Sequence, residues 1–209
     1  MIKYQRGDQV LILFMVFGYL VGSIPWGLII GKVFFRKDIR QYGSGNLGGT
    51  NAGRVLGGYF GILVGVLDAL KAFTVIGLVS YYDKDMAIIA GAMVAVGHCY
   101  PIFANFKGGK AVATAFGLLF GIGLFINNNF IIFISSFSMF VFLVLTVKIV
   151  SLSSMIAMGI ALIISLFQSD ITITLTILAL TIFIIYRHRA NIKRIINKTE
   201  SKVYLIKRK

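Results

Sequence analysis

The sequence predicts an all-α, polytopic transmembrane helix bundle with about seven spans. Three observations lead to this fold class: 58% of the 209 residues are hydrophobic, the mean hydropathy is +0.90, and only 13% of the residues are charged. A water-soluble domain of this length cannot bury so much apolar surface. The apolar residues also occur in long blocks, several of which approach the ~20 residues needed to cross a bilayer. The whole chain, 1–209, is therefore predicted to form a single membrane domain.

Seven apolar segments are the predicted spans, and short polar turns separate most of them. The first segment has basic residues ahead of it and a cleavage-like Val21-Gly22-Ser23, as a signal peptide would have. Its apolar run continues to Ile30 and leads into a polar motif, which favours a retained span. The second segment contains Asp68 and Lys71, one helical turn apart, so a tilted or broken helix with a structural ion pair is predicted there. The segments cover residues 10–30, 55–82, 86–103, 112–126, 130–147, 152–167 and 171–186.

The distribution of basic residues predicts the orientation of the bundle. The chain carries 21 Lys and Arg against 7 Asp and Glu, a net charge of +14. Seventeen of the 21 fall in the loops after spans one, three, five and seven or in the C-terminal tail, and three fall on the opposite side. Basic loops stay in the cytoplasm, so the N-terminus is predicted outside and the C-terminus inside. The excess charge is assigned to topology and anionic lipid rather than to nucleic acid.

Small residues and the lone cysteine receive structural interpretations. Gly57, Gly61 and Gly65 recur at four-residue spacing, which favours helix–helix contact in lipid over contact with a ligand. Cys99 is the one cysteine, so an intramolecular disulfide is excluded. The histidines, the cysteine and the carboxylates form no cluster with metal-ligand spacing, so no metal is predicted.

Three polar stretches interrupt the apolar sequence, at residues 43–54, 97–110 and 187–194. They follow spans one, three and seven, so an odd number of crossings puts all three on the cytoplasmic side, where they are predicted to converge. Glycine-rich backbone lets an anion approach N–H donors, and Arg54 and two lysines add positive charge. The run Lys107-Gly108-Gly109-Lys110 also precedes a predicted helix, whose N-terminal dipole attracts anions. The stretches therefore predict a phosphate-binding site.

Other interpretations of the same residues were weighed against this one. Gly43-x-Gly45-x-x-Gly48 matches the dinucleotide-binding pattern, but no strand precedes it and Asp68 lies inside a span, so this interpretation is rejected. For His98, a hydrogen bond at a helix end competes with a role in substrate binding. For His188, a basic cluster at the membrane surface competes with a role in the reaction.

The three stretches contain the motifs Ser44-Gly45-Asn46-x-Gly48-x-Thr50-Asn51-x-x-Arg54, Gly97-His98-x-x-Pro101-x-Phe103-x-x-Phe106-Lys107-Gly108-Gly109-Lys110-x-Val112-Ala113-Thr114 and Arg187-His188-Arg189-x-Asn191-Ile192-x-Arg194. With these motifs the chain resembles, over nearly its whole length, the bacterial membrane family of acyl-phosphate:glycerol-3-phosphate acyltransferases, called PlsY. Gly22-Ser23-Ile24-Pro25 and Val150-Ser151-Leu152-Ser153-Ser154 are also similar to family segments. Gly49 stands where the family usually has Ala, Ala111 where it usually has Gly, and Ala72 where Gly is common, but no candidate charged group is lost.

The resemblance implies transfer of a fatty acyl group from acyl phosphate to the sn-1 hydroxyl of glycerol 3-phosphate. The products would be lysophosphatidic acid and inorganic phosphate, in the first step of phospholipid synthesis. Glycerol 3-phosphate, acyl phosphate and membrane lipids are the expected partners, with no nucleic acid, no cofactor and no metal. The expected enzyme is monomeric and lies in the bacterial cytoplasmic membrane, with its active site on the cytoplasmic face.

The resemblance also suggests residue roles. Ser44, His188 and Asn191 are the predicted catalytic residues, with His188 and Asn191 orienting the attacking hydroxyl or stabilising the oxyanion. No carboxylate lies in the three stretches, so either His188 or the oxygens of the acyl phosphate accept the proton, and the two arginines flanking His188 favour the second. The predicted substrate-binding residues are Asn46, Thr50, Asn51, Arg54, His98, Lys107, Gly108, Gly109, Lys110 and Ser151.

Three rival functions remain distinguishable by experiment. A transporter or channel for phosphorylated or anionic solutes would use the same basic loops, but the spans offer few polar residues apart from Asp68 and Lys71. A non-catalytic membrane scaffold does not explain three phosphate-suited motifs on one side. An acyltransferase that uses acyl-CoA or acyl carrier protein would differ in its donor alone.

Overall fold

A computed structural model describes residues 2–168 and 170–203 of the chain, and these residues form helices joined by loops, without a β-strand. They divide into two compact units, the first ending at Asn128 and the second beginning at Asn129. The prediction of a single domain over residues 1–209 stays a prediction beside this division. Among the basic residues that predict the orientation, Lys207, Arg208 and Lys209 lie outside the described residues.

The described residues of the first unit form six α-helices: α1 (Ile2–Gly22), α2 (Trp26–Phe35), α3 (Gly49–Leu56), α4 (Gly58–Ser80), α5 (Lys84–Cys99) and α6 (Val112–Gly121). Two short 3₁₀ turns accompany them: Ile39–Gln41 precedes α3, and Ile102–Ala104 follows α5. The end of α6 continues as a π-helical turn, Ile122–Ile126.

Two helix breaks distinguish this unit from the predicted segments. The first apolar segment divides at Ser23-Ile24-Pro25, where Pro25 lacks the N–H that a continuing helix would need. Gly57, with φ +104°, separates α3 from α4, a backbone conformation that only glycine adopts readily. The second half of the 43–54 stretch, predicted as a glycine-rich loop, is therefore helical.

Glycines allow the helices of this unit to touch through their backbones. A β-carbon at Gly61 would lie 2.6 Å from the Cα of Gly53, and one at Gly49 would lie 2.5 Å from the carbonyl oxygen of Gly61. The packing of α3 on α4 thus confirms the helix-contact interpretation of Gly61. It also gives a reason for Gly49 in place of the family's usual alanine, because the added methyl group would overlap Gly61.

The second unit contains four helices, α7 (Ile131–Thr146), α8 (Val150–Ser165), α9 (Ile171–Arg187) and α10 (Arg189–Ile196). Helix α8 packs against both α7 and α9. The side chain of Asp170 caps α9 by accepting a hydrogen bond from the backbone N–H of Ile173 (3.0 Å). At His188 the chain bends by 58° from α9 into α10.

Long apolar helices with exposed hydrophobic side chains mark the fold as that of a membrane protein. Within the described residues, three helical stretches are long and apolar enough to cross a bilayer: Gly7–Phe35, Gly58–Ser80 and Lys84–Ala104. The bent pair of α9 and α10 counts as a fourth if the two helices form a single span. Three further apolar helices are shorter; α7, with 16 residues, is about 24 Å long. The count of seven spans and the orientation of the termini therefore stay predictions.

Candidate active site

Asn51 organises the first polar stretch from within. Its side chain is buried, with the residue 1% exposed, and its Oδ1 accepts a hydrogen bond from the N–H of Ser44 (2.8 Å). Its Nδ2 donates to the carbonyl oxygens of Ile39, Tyr42 and Asn46, at 3.0, 3.2 and 2.9 Å. These hydrogen bonds fix the backbone of the loop around the Asn51 amide, and Ser44 is held at an exposed position on the surface of the loop.

The second polar stretch folds back onto the C-terminal end of α5. The N–H of Gly109 donates to the carbonyl oxygen of His98 (2.9 Å). A β-carbon at Gly108 would lie 2.1 Å from the same oxygen, so only glycine permits this approach. Lys107 is exposed beside the two buried glycines, and Lys110 is partly exposed. Helix α6 begins at Val112, as predicted, which places this run just before a helix N-terminus.

One hydrogen bond joins the first stretch to the second, and another reaches the second stretch from Arg40, three residues before the first stretch begins. The Nδ2 of Asn46 donates to the carbonyl oxygen of Gly108 (3.2 Å), while its Oδ1 accepts from the N–H of Gly48 (2.9 Å). The Nη1 of Arg40 reaches the carbonyl oxygen of Ala104 at 3.4 Å. The predicted convergence of these two stretches is thus present in the first unit, with Asn46 as the direct link.

Arg40 itself is held by a carboxylate. Its guanidinium forms a bidentate ion pair with Asp38, in which the shortest distance, between Nη2 and Oδ2, is 2.6 Å. The hydrogen bond from Arg40 lowers the pKa of Asp38 to about 2, against a smaller opposing effect of burial. The same bond raises the pKa of Arg40 above its ordinary value. Sequence reasoning assigned Arg40 only to membrane topology, whereas the structure gives it a part in joining the two stretches.

The ion pair predicted between Asp68 and Lys71 is confirmed. The Nζ of Lys71 lies 2.8 Å from the Oδ1 of Asp68, and both side chains are buried, 4% and 2% exposed. The Nδ1 of His98 lies 3.4 Å from the same carboxylate oxygen. His98 is therefore a neighbour of this pair, and its predicted contact with substrate stays a prediction.

In the second unit, two residues of the predicted site, Ser151 and Asn191, and Arg194 of the third polar stretch converge on a carboxylate that sequence reasoning missed. Glu200, whose side chain is 6% exposed, accepts hydrogen bonds from Ser151 Oγ (2.7 Å), Asn191 Nδ2 and Arg194 Nε (2.6 Å). Burial raises the pKa of Glu200, but these hydrogen bonds outweigh burial and lower the pKa overall.

Glu200 lies outside the third polar stretch, six residues beyond Arg194, which is why sequence reasoning excluded a carboxylate from the site. One signal was available. Glu200 is the single acidic residue among the nine Lys and Arg of the C-terminal tail. An isolated carboxylate in such a tail has many possible cationic partners, so its partners were not predictable from sequence spacing.

His188 sits at the bend between α9 and α10 and is buried. Its Nδ1 lies 2.8 Å from the carbonyl oxygen of Ile184, which can only accept, so Nδ1 carries the hydrogen. In the neutral ring, Nε2 is then the nitrogen that accepts a hydrogen bond or a proton. Asn191, one helical turn further on, points to Glu200. That His188 and Asn191 act together with the first two stretches stays a prediction.

Solved structures share this fold. The crystal structure of PlsY, an integral membrane glycerol 3-phosphate acyltransferase, in its glycerol 3-phosphate form matches with a TM-score of 0.85 and 33% sequence identity. Its lysophosphatidic acid form matches with a TM-score of 0.83 and 32% identity. Each match covers 93% of this chain and 96% of the other. The class that fold and site define is that of an integral membrane acyltransferase.

Sequence comparison narrows the class to one family. The family model for glycerol-3-phosphate acyltransferase matches residues 12–198. The glycerol-3-phosphate acyltransferase of Geobacillus kaustophilus (strain HTA426) is 47% identical over 193 residues, covering 91% of this chain and 95% of the relative. That of Bacillus subtilis (strain 168) is 49% identical over 192 residues, covering 91% and 96%. The chain belongs to the glycerol-3-phosphate acyltransferase family.

Proposed function

We propose that this protein transfers a fatty acyl group from acyl phosphate to the sn-1 hydroxyl of glycerol 3-phosphate. The products are lysophosphatidic acid and inorganic phosphate. The observation that best supports this proposal is the hydrogen bond from Asn46 to Gly108, which holds side by side two stretches whose residues suit phosphate binding. The glycerol-3-phosphate acyltransferases related to this chain, and the PlsY forms with glycerol 3-phosphate and lysophosphatidic acid, support the acceptor and the product.

Both substrates carry a phosphate, and the two joined stretches suit such anions. Ser44, Thr50 and Arg54 present exposed polar side chains on one stretch, and Lys107 presents an exposed ammonium on the other. Guanidinium and ammonium groups make charge-assisted hydrogen bonds with phosphate oxygens. Arg54 and Lys107 are therefore assigned to the substrate phosphates. The buried amide of Asn51 shapes this surface from beneath and does not touch the ligand.

The reaction needs one new bond and one broken bond. The sn-1 oxygen of glycerol 3-phosphate attacks the acyl carbonyl carbon, and the bond between that carbon and the phosphate oxygen breaks. The proton of the hydroxyl passes to an oxygen of the departing phosphate. Because acyl phosphate is already activated, positioning and neutralisation of charge supply most of the acceleration. No protein carboxylate is required as a base.

His188 and Asn191 are assigned to orienting the reacting groups. The hydrogen bond from Nδ1 to Ile184 leaves Nε2 of His188 as an acceptor, which suits a hydroxyl donor. Replacement of His188 by alanine tests this assignment with purified protein and acyl phosphate. A rate within a few fold of the parent would remove His188 from the reaction.

The donor comparison is the experiment that tests the proposed reaction. The purified full chain in detergent is offered acyl phosphate, acyl-CoA and acyl carrier protein thioester of one chain length, together with glycerol 3-phosphate. We expect lysophosphatidic acid by mass spectrometry with acyl phosphate alone, and one inorganic phosphate released per product. Product from a thioester donor in place of acyl phosphate would contradict the donor assignment. Solute flux into liposomes without product would favour a transporter.

The proposal includes seven spans, an outside N-terminus and a monomeric enzyme whose site faces the cytoplasm. The positive charge of the loops after the odd-numbered spans supports this topology. Labelling of single cysteines in intact cells tests it, and the one native cysteine, Cys99, is buried and gives little background. Cysteines placed at Thr50 and Lys193 are expected to resist an impermeant reagent until the membrane is opened. Labelling of either one from outside would overturn the orientation.

A further inference from the structure

A cluster of three buried polar side chains lies directly beneath the glycines of the second polar stretch. Asp68 and Lys71 extend from α4, and His98 extends from the last turn of α5. All three side chains are at least nine-tenths buried. Buried charges in an apolar helix bundle are costly, and ionisable residues inside such a bundle often serve function, so this cluster is a candidate functional element.

Lys71 ties the cluster to the break between α1 and α2. Its Nζ donates to Gly22 O and Ile24 O, each at 3.0 Å, and to Asp68 Oδ1 at 2.8 Å. An ammonium has three N–H groups, so these three oxygens use all of them. The helix is interrupted between Gly22 and Trp26, so the carbonyl oxygen of Gly22 loses its helical partner and Lys71 takes that place. The carbonyl oxygen of Ile24 accepts from Lys71 in addition to the N–H of Trp26 (3.2 Å).

His98 connects the ion pair to the loop above it. Its Nδ1 lies 3.4 Å from both Lys71 Nζ and Asp68 Oδ1. Since the hydrogens of Lys71 point at three oxygens, Nδ1 carries its own hydrogen towards Asp68, and Nε2 is the opposite edge of the ring. A β-carbon at Gly109 would lie 1.8 Å from that Nε2. The imidazole is thus the surface on which Gly109 rests.

We propose that Asp68 and Lys71 are positioning residues that act through His98 to set the place of the Lys107–Lys110 loop. His98 then supports the loop from below instead of contacting the substrate. This inference rests on the proposed function, in which the loop binds a substrate phosphate. It identifies Asp68, Lys71 and His98 as the residues that hold the loop in place. A purely structural ion pair would stabilise the fold without changing the affinity for phosphate. The experiments below separate these two roles.

The first experiment is a double-mutant cycle between His98 and Gly109. Affinity for glycerol 3-phosphate and for inorganic phosphate is measured from the ligand dependence of the melting temperature, and KM and kcat are measured in parallel. Gly109→Ala is expected to weaken phosphate affinity by about tenfold or more in the parent, because the new methyl group meets the ring. In the His98→Ala background the same change is expected to weaken affinity by less than about threefold. Equal factors in both backgrounds would overturn the contact as the basis of positioning.

The second experiment asks whether the ion pair acts through His98. The double variant Asp68→Asn, Lys71→Met removes both charges, so no lone buried charge remains. We expect about tenfold weaker phosphate affinity in the parent and less than about threefold in the His98→Ala background, with kcat at saturation changed less than KM. Loss of thermal stability with unchanged phosphate affinity would show a structural role only and sink the proposal.

Lys84 offers a matched control within the same unit. Its Nζ also donates to a backbone carbonyl oxygen, that of Ile126, at 2.8 Å. Lys84→Met is expected to lower the melting temperature without changing phosphate affinity. If the parent binds glycerol 3-phosphate but forms no lysophosphatidic acid, the proposed reaction fails while the affinity measurements still decide the positioning. If the parent binds neither glycerol 3-phosphate nor inorganic phosphate, the positioning inference fails with it.

Discussion

Replacement of Glu200 by alanine measures how much the Glu200 carboxylate contributes to the free energy of unfolding. Ser151 and Asn191 are buried, so the change leaves a hydroxyl and an amide without their acceptor. An unsatisfied buried donor costs about 1–3 kcal/mol. Arg194 is 43% exposed and its pair with Glu200 adds less than about 1 kcal/mol. Because neighbouring effects are not additive, we expect a total loss of about 2–5 kcal/mol of unfolding free energy.

Thermal and denaturant unfolding of the purified protein in detergent is the assay. Glu200→Gln keeps the shape and one acceptor oxygen, so a smaller loss of about 1–3 kcal/mol is expected. Asp85→Ala, at an exposed acidic residue, is the control and should stay within about 0.5 kcal/mol of the parent. A Glu200→Ala protein as stable as this control would refute the reasoning from buried donors.

The acid dependence of the Glu200 effect follows from its lowered pKa. In the unfolded chain a glutamate has a pKa of about 4.3, and in the folded protein the pKa of Glu200 lies below its ordinary value. The stabilisation is therefore fully present above the unfolded pKa and is lost as the pH falls through the folded pKa. The stability difference between the parent and Glu200→Gln should be constant near neutral pH and should shrink in acid. A difference that grows on acidification would contradict the assigned direction.

Three further predictions concern the first unit. Ala111→Gly relieves the backbone strain of a buried alanine at φ +64°, worth about 1–2 kcal/mol, but removes a buried methyl group worth about 1 kcal/mol. We therefore expect a melting temperature equal to or slightly above that of the parent, and a clear decrease would contradict the strain. Asn46→Ala removes the link to Gly108 and should raise the KM for glycerol 3-phosphate about five- to thirtyfold, with an unchanged KM as the contrary result. The pKa of Asp38 is lowered to about 2, so its ion pair with Arg40 stabilises the folded protein fully above about pH 4 and is lost towards pH 2. The melting temperature of Asp38→Asn should therefore converge on that of the parent only in that acidic range.

Much of the secondary structure was predictable because lipid imposes a simple pattern. Each of the seven predicted apolar segments contains a helix, and the polar residues Asp68 and Lys71 pair as their spacing indicated. The places of the breaks were not predicted. The second segment, predicted to be tilted or broken because of Asp68 and Lys71, divides at Gly57 instead, and α4 continues unbroken past both charged residues. The first apolar segment reads as continuous, and hydropathy does not show that the carbonyl groups around Pro25 are satisfied by a lysine from another helix. Likewise, the helix α3 arises from packing against α4, not from its own apolar content.

The sequence by itself determined the membrane character, the helical class, the family resemblance and the residue types of the site, because hydropathy and motif spacing are local properties. Tertiary structure alone decided which of those residues are exposed and which are buried beneath them. Asn51 is polar and lies in a motif, yet it is buried as a loop brace, and His98 rests against an ion pair. Glu200 accepts hydrogen bonds from Ser151 and Asn191 although it lies outside every motif. These assignments depend on contacts between residues distant in sequence, and side-chain chemistry alone does not specify such contacts.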